Sequence, residues 1–225
     1  MTRIARALAL AFAAVIAVAA APNWGATVAE TPGGGHLIGN PAAKTKLIEF
    51  VSYTCPHCAH FEQEASGAIR LAWIQPGKVS VEVRHLVRDP FDLTAAILTN
   101  CGAKDKFAQN HALFMLKQDE WIGKIQLALP SQRQRWGSGT MPSRWKAIAS
   151  DLGFYDMMVG RGYTRSQIDQ CLSNEAAGRA IADKSNAGSE AFGVNSTPSF
   201  VLNGKLLDGV HTWEQLQPAV NAAAK

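Results

Sequence analysis

No acidic side chain occurs before Glu30. In that stretch Arg3 and Arg6 precede an uncharged apolar run from Ala7 to Ala21. The run is shorter than the roughly 20 residues that a membrane-spanning helix needs. Its layout is that of a secretory signal, with a basic start, an apolar centre and small residues at Ala17, Ala19 and Ala21 where a peptidase can cut. The expected signal peptide is residues 1–21, the alternative being an uncleaved anchor helix. The chain also lacks an excess of either charge, since 22 Lys and Arg face 18 Asp and Glu with the two signs interspersed. Nucleic acid is therefore not an expected partner. Internal repeats are absent, and so are Met-rich or His-rich tracts of the kind that gather metals. Cysteine is scarce, at four, but an exported chain meets an oxidising compartment in which thiols are expected in pairs.

What is present organises the rest. Residues 22–37, with Pro32-Gly33-Gly34-Gly35, read as a flexible N-terminal arm. The domain is expected over 38–225. Lys46–Val51 has the composition of a strand, and from Pro56 to Trp73 the apolar residues recur at helical spacing until Pro76-Gly77 stops them. Val79–Leu86 alternates as a second strand, which completes a β-α-β unit. No convincing strand follows between Asp92 and Phe192, where the pattern favours helices throughout. Ser199–Leu202 and Lys205–Leu207, joined by Asn203-Gly204, carry the signal of a two-residue hairpin, and a last helix starts near Thr212. The order predicts an α/β sheet interrupted by a helical insertion at about 92–192.

The chemistry centres on Cys55-Pro56-His57-Cys58 at the strand-to-helix junction. Two thiols three positions apart on a first helical turn share a face and can close a small, reversible disulfide. Cys55 meets the unsatisfied N–H groups and the positive end of the helix dipole, which favour thiolate and make it the exposed nucleophile. Pro56 suits the first helical position. His57 supplies a donor or a positive charge beside Cys55. Cys58, one turn in, is the buried resolving thiol. A stabilised thiolate makes the disulfide form an oxidant. The bland readings are a structural disulfide or half of a zinc site, for which Cys101 and Cys171 form no second close pair.

Through Glu49-Phe50-Val51-Ser52-Tyr53-Thr54-Cys55-Pro56-His57-Cys58, followed by Phe61-Glu62, the sequence resembles the DsbA family of periplasmic disulfide oxidases. The likeness extends from about Ile38 to the C-terminus and includes the helical insertion and the late Thr197-Pro198. It implies a thioredoxin fold with that insertion, and a cis peptide at Pro198 opposite the redox pair, with the backbone at Thr197 and Pro198 binding an extended substrate. It also implies a buried acid at Glu49, which exchanges a proton with Cys58. Alternation along the strand leaves Glu49 facing either the redox helix or solvent. Arg88–Ala96 and the extra pair Cys101 and Cys171 resemble the alphaproteobacterial branch, and export favours a structural disulfide between those two. Thr197 departs from the valine of enteric members.

The resemblance implies a periplasmic enzyme without cofactor or metal, its redox group being the Cys55-Cys58 disulfide. Its partners would be reduced exported polypeptides and a quinone-linked, DsbB-like membrane protein that restores the disulfide, and the chain itself is expected to be a monomer. The rival of the same fold is a disulfide isomerase or reductant; the short stretch before Cys55 leaves no room for an isomerase's dimerisation domain. A copper carrier using Cys55 and Cys58 would need a further soft or imidazole ligand. His36, His60, His85, His111 and His211 stand singly in sequence and read as ordinary residues. Trp73, Trp121, Trp136, Trp145 and Trp213 read as packing.

Overall fold

The computed structural model describes residues 22–225; the expected signal peptide lies outside the described residues. Six strands form one sheet: β1 (Val28–Glu30), β2 (His36–Ile38), β3 (Thr45–Val51), β4 (Val79–His85), β5 (Ser199–Leu202) and β6 (Lys205–Leu206), in the order β1-β2-β4-β3-β5-β6. Only β3 and β4 are parallel. Their crossover is α1 (Pro56–Ile69), extended by a wide turn over Arg70–Ile74 in which the Gln75 N–H reaches back to the Arg70 carbonyl. The hairpin β5-β6 turns at Asn203 and Gly204, both at positive φ (49° and 84°), the geometry that an Asn-Gly turn supplies.

The segment 22–37 is not a free arm. β1 and β2 pair with each other, and β2 continues the sheet, with His36 opposite Val83 of β4. The glycines that read as a linker build the turn between them. Gly34 has φ 81°, and a side chain on Gly35 would collide with Glu82 and the Val83 carbonyl. Strands of three residues are too short to show a period, so composition alone suggested a linker.

Between β4 and β5 the chain is helical, in accordance with the expected insertion: α2 (Pro90–Thr99), α3 (Phe107–Leu116), α4 (Gln118–Gln126), α5 (Pro130–Gly137), α6 (Met141–Leu152), α7 (Phe154–Gly160), α8 (Arg165–Ser173) and α9 (Glu175–Phe192). α10 (Trp213–Ala223) closes the fold. α5 lacks an apolar stripe, and α7 is too short for its Phe154 and Met158 to show a period. α5 buries only Trp136, and α7 is set off from α6 by Gly153 in the left-handed region.

One core lies under α1 and α10, where Leu47, Phe61, Trp73, Val81, Phe200 and Leu216 interlock. The other fills the insertion around Phe114, Trp121, Trp145 and Phe154 and runs on into Val51, Tyr53, Cys55 and Cys58. The cysteine motif thus sits where the two halves meet. Four tryptophans, Trp73, Trp121, Trp136 and Trp145, are buried as packing residues.

Cys101, just past α2, and Cys171 on α8 form a disulfide across a sequence separation of 70. In the chain-entropy description a loop of this size constrains the unfolded state by about 4 kcal/mol. The double replacement Cys101→Ala with Cys171→Ala should lower urea stability by roughly that amount and leave the disulfide chemistry at Cys55 in place. An unchanged denaturation midpoint would remove the structural role.

His36 and His85 are buried in adjacent strands, and burial lowers their pKa values to about 4 and about 3. The unfolded chain, with values near 6.5, binds these protons first, so stability must fall as pH drops below about 6.5. At pH 5 the loss is about 2 kcal/mol for each ring. Urea titrations of wild type and His85→Asn between pH 7 and pH 4 should show a shallower acid loss in the variant.

Candidate functional site

The junction between β3 and α1 is tied down by acids from α2. Asp92, buried, accepts from the Ser52 hydroxyl (2.6 Å), the Tyr53 N–H (2.7 Å) and the Arg88 N–H (3.0 Å). Asp89 caps α2 by accepting from the N–H groups of Phe91 and Asp92, and its second oxygen takes the Thr54 hydroxyl at 2.6 Å. Burial lifts the Asp92 carboxyl to about 7 against the downward pull of its three donors. From α4, the buried Gln118 amide donates to the carbonyls of Tyr53 (2.7 Å) and Cys55 (2.9 Å). Both ends of the Tyr53–Cys55 turn are therefore held before any substrate arrives.

Cys55 is the N-cap of α1, with Pro56 in the first helical position. The two cysteines are free thiols in this structure. The Cys55 thiol is pulled down to about 5, first by a hydrogen bond from the Cys58 thiol, with Thr197 and the backbone N–H groups of Cys58 and His57 adding, against opposing burial. Cys58 is pushed well above its ordinary value, by burial first and then by Cys55 itself. One sulfur is thus favoured as thiolate and the other as thiol.

One expectation changes. Cys55 is not exposed: the residue is 2% accessible, because the loop of the cis Thr197–Pro198 bond lies over it and the Thr197 carbonyl stands 3.2 Å from Sγ. His57 is exposed, and it is the backbone N–H of His57 that contributes at Cys55. Pro198 is fixed in turn by His211, whose Nδ1 lies 2.7 Å from the Pro198 carbonyl.

Glu49 faces the redox helix. It is 6% exposed and lines a cavity of about 300 Å³ together with Phe61 and Glu62 of α1 and His111 of α3. Cys58 and Glu62 are four apart on α1 and share a face, and Glu62 lines the Glu49 cavity. Burial first, and the neighbouring Glu62 second, raise the Glu49 carboxyl to about 8. Glu62 also lies 3.7 Å from His111 Nε2, and His111 Nδ1 is 2.9 Å from the Tyr53 hydroxyl. Glu62 entered only as part of the family resemblance, and Asp92 only within Arg88–Ala96. Gln118 and His111 carried no signal, since their roles depend on how the insertion folds back. Among the described residues no three His, Cys, Asp or Glu side chains are grouped to hold a metal ion, and no helix is long and apolar enough to cross a membrane.

Comparison with known proteins places this geometry. The thioredoxin family model matches residues 31–222, and the chain belongs to that family. A solved protein-disulfide isomerase from Novosphingobium aromaticivorans is 48% identical, covering 85% of this chain and 98% of that one with a TM-score of 0.81. Wolbachia pipientis alpha-DsbA1 shares the fold, with a TM-score of 0.65 at 20% identity over 86% of this chain and 92% of that chain. A Rickettsia conorii protein, provisionally named a protein-disulfide oxidoreductase, is 26% identical over 83% of this chain. This chain spans 59% of that protein's length. The thioredoxin fold with a helical insertion is the one expected.

Glu49 also sets a slope in stability. Its carboxyl releases a proton near 4.5 when unfolded and near 8 when folded, so the folded state is progressively disfavoured as pH rises through that window. At pH 7 the penalty is about 3 kcal/mol. Glu49→Gln should therefore raise urea stability at pH 7 by up to that amount and have little effect at pH 4.5. Equal gains at both pH values would show that the carboxyl is not held protonated.

Proposed function

We propose that the chain donates the Cys55-Cys58 disulfide to reduced exported polypeptides in the periplasm. The carrying observation is the opposed setting of the two thiols, with Cys55 lowered to about 5 and Cys58 raised. A substrate thiolate attacks Cys55 Sγ, the Cys55–Cys58 bond breaks, and Cys58 leaves as thiolate and takes a proton from the Glu49 carboxyl. A second substrate thiolate then attacks the substrate sulfur of the mixed disulfide, and Cys55 leaves as a thiolate that its helix N-terminus stabilises. Two electrons pass to the protein and no cofactor is needed. The backbone at Thr197 and Pro198, which covers Cys55, supplies an edge for the extended substrate. Regeneration falls to a disulfide of a DsbB-like, quinone-linked membrane partner. The Bordetella pertussis relative, 21% identical over 73% of this chain, bears the name thiol:disulfide interchange protein DsbA, in keeping with this reading.

A second reading, disulfide isomerisation, is favoured by the name of the Novosphingobium relative. The same sulfurs serve it, but the pair would work from the reduced form, with the Cys55 thiolate attacking wrong disulfides.

Cys55→Ser should abolish oxidation of a dithiol peptide. Cys58→Ser should accumulate mixed disulfides with an oxidised, disulfide-bonded peptide, whose bond the Cys55 thiolate attacks, because the neighbouring thiol that would release them is gone. Non-reducing gels and mass spectrometry read both outcomes. Accumulation in Cys55→Ser instead would reverse the two assignments. Oxidation of reduced peptides measured against repair of a scrambled disulfide protein separates oxidase from isomerase.

A further inference from the structure

Three successive carbonyls of the loop over Cys55 each accept a hydrogen bond from a different group. The Ser196 carbonyl takes the Ser199 hydroxyl (2.8 Å), the Thr197 carbonyl takes the Cys55 thiol (3.2 Å) and the Pro198 carbonyl takes His211 Nδ1 (2.7 Å). A carbonyl only accepts, so Nδ1 carries the hydrogen, and it does so whether or not Nε2 is also protonated. The bond from Cys55 is conditional, because it needs an S–H that neither the thiolate nor the disulfide possesses. In the disulfide form, which meets reduced substrates, His211 is therefore the one side chain from outside 196–199 that still hydrogen-bonds this loop, among the described residues.

His211 is itself held in place. Its own N–H and that of Thr212 both donate to Gln215 Oε1 (2.9 and 3.2 Å) where α10 begins, and Leu216 and Val220 anchor that helix in the core beside Phe61 and Phe200. The residue is exposed, and it borders a cavity of about 170 Å³ together with Asn195, Ser196 and Asp208. Replacing it removes a contact to the loop without opening a hole in the core.

We propose that His211 is a positioning residue for polypeptide substrates: through the Pro198 carbonyl it holds the edge at Thr197 and Pro198 in place while an extended thiol substrate docks on the disulfide form. This rests on the reading of Cys55-Cys58 as a redox pair that acts on polypeptides. The Thr197 N–H has no acceptor among the described residues, and the Thr197 carbonyl loses its donor when Cys55 gives up its S–H. Both backbone groups of Thr197 are then without a partner in the chain, as pairing with an incoming strand requires. Such pairing depends on direction as well as distance, and a loop that wanders must be ordered anew by each substrate at an entropic cost. A small dithiol attacks the same sulfur but has no backbone to pair, so it draws far less on the loop.

The test compares two reductants of the oxidised protein, a reduced dithiol peptide and dithiothreitol, with each second-order rate followed by rapid acid quench. Asn and Leu share a branched shape, and Asn Nδ2 is bonded to the γ-carbon as His Nδ1 is, so His211→Asn keeps a donor where His211→Leu has none. His211→Leu should lower the peptide rate relative to the dithiothreitol rate about fivefold, the effect of losing one hydrogen bond. His211→Asn should recover most of that ratio. An unchanged ratio in His211→Leu, an equal fall for both reductants, or an Asn variant no better than the Leu variant would overturn the proposal and leave the redox reading intact. The redox reading fails separately if the wild-type protein oxidises neither reductant. Should His211→Leu not fold, His211→Ala carries the same expectation.

Discussion

A sulfur that carries negative charge near neutral pH needs hydrogen-bond donors that remain in place when the protein closes over it. That requirement organises the structure. Cys55 gains its donors from the first turn of α1 and from Cys58, and a first turn can supply them only if the chain leading into it is rigid. Asp92, Asp89 and Gln118 provide that rigidity through hydrogen bonds from the helical insertion to Ser52, Tyr53, Thr54 and the Cys55 carbonyl. The insertion is thus the clamp that presents the motif as well as a cover beside it.

The same economy of position explains the covered nucleophile. A thiolate open to water would be stabilised by water and would need no helix terminus. Beneath the Thr197 loop the sulfur depends on the protein's own donors. Behind it, burial and Glu62 raise the Glu49 carboxyl, at a cost in stability.

Much of this was legible in the sequence where a local pattern fixes local geometry. Cys-Pro-His-Cys before a helical period, the Asn203-Gly204 hairpin and the strand pair Thr45–Val51 and Val79–His85 are of that kind. Burial of Glu49 was open in the alternation alone and is decided by α1 packing over β3. The short strands at Val28–Glu30 and His36–Ile38 were hidden because glycine-rich turns and free linkers share a composition. Gln118 and the convergence of His36, His85 and His111 on Phe107 were hidden for a different reason: tertiary folding brings together residues that stand far apart in sequence.

If the site stabilises the Cys55 thiolate, the disulfide it forms with Cys58 is an oxidant. Equilibrating the 55/58 pair with glutathione buffers and reading the fraction oxidised tests it most directly. A stabilised Cys55 thiolate gives a potential more oxidising than about −200 mV, toward the DsbA value of about −120 mV. A potential near the thioredoxin value of about −270 mV would contradict it.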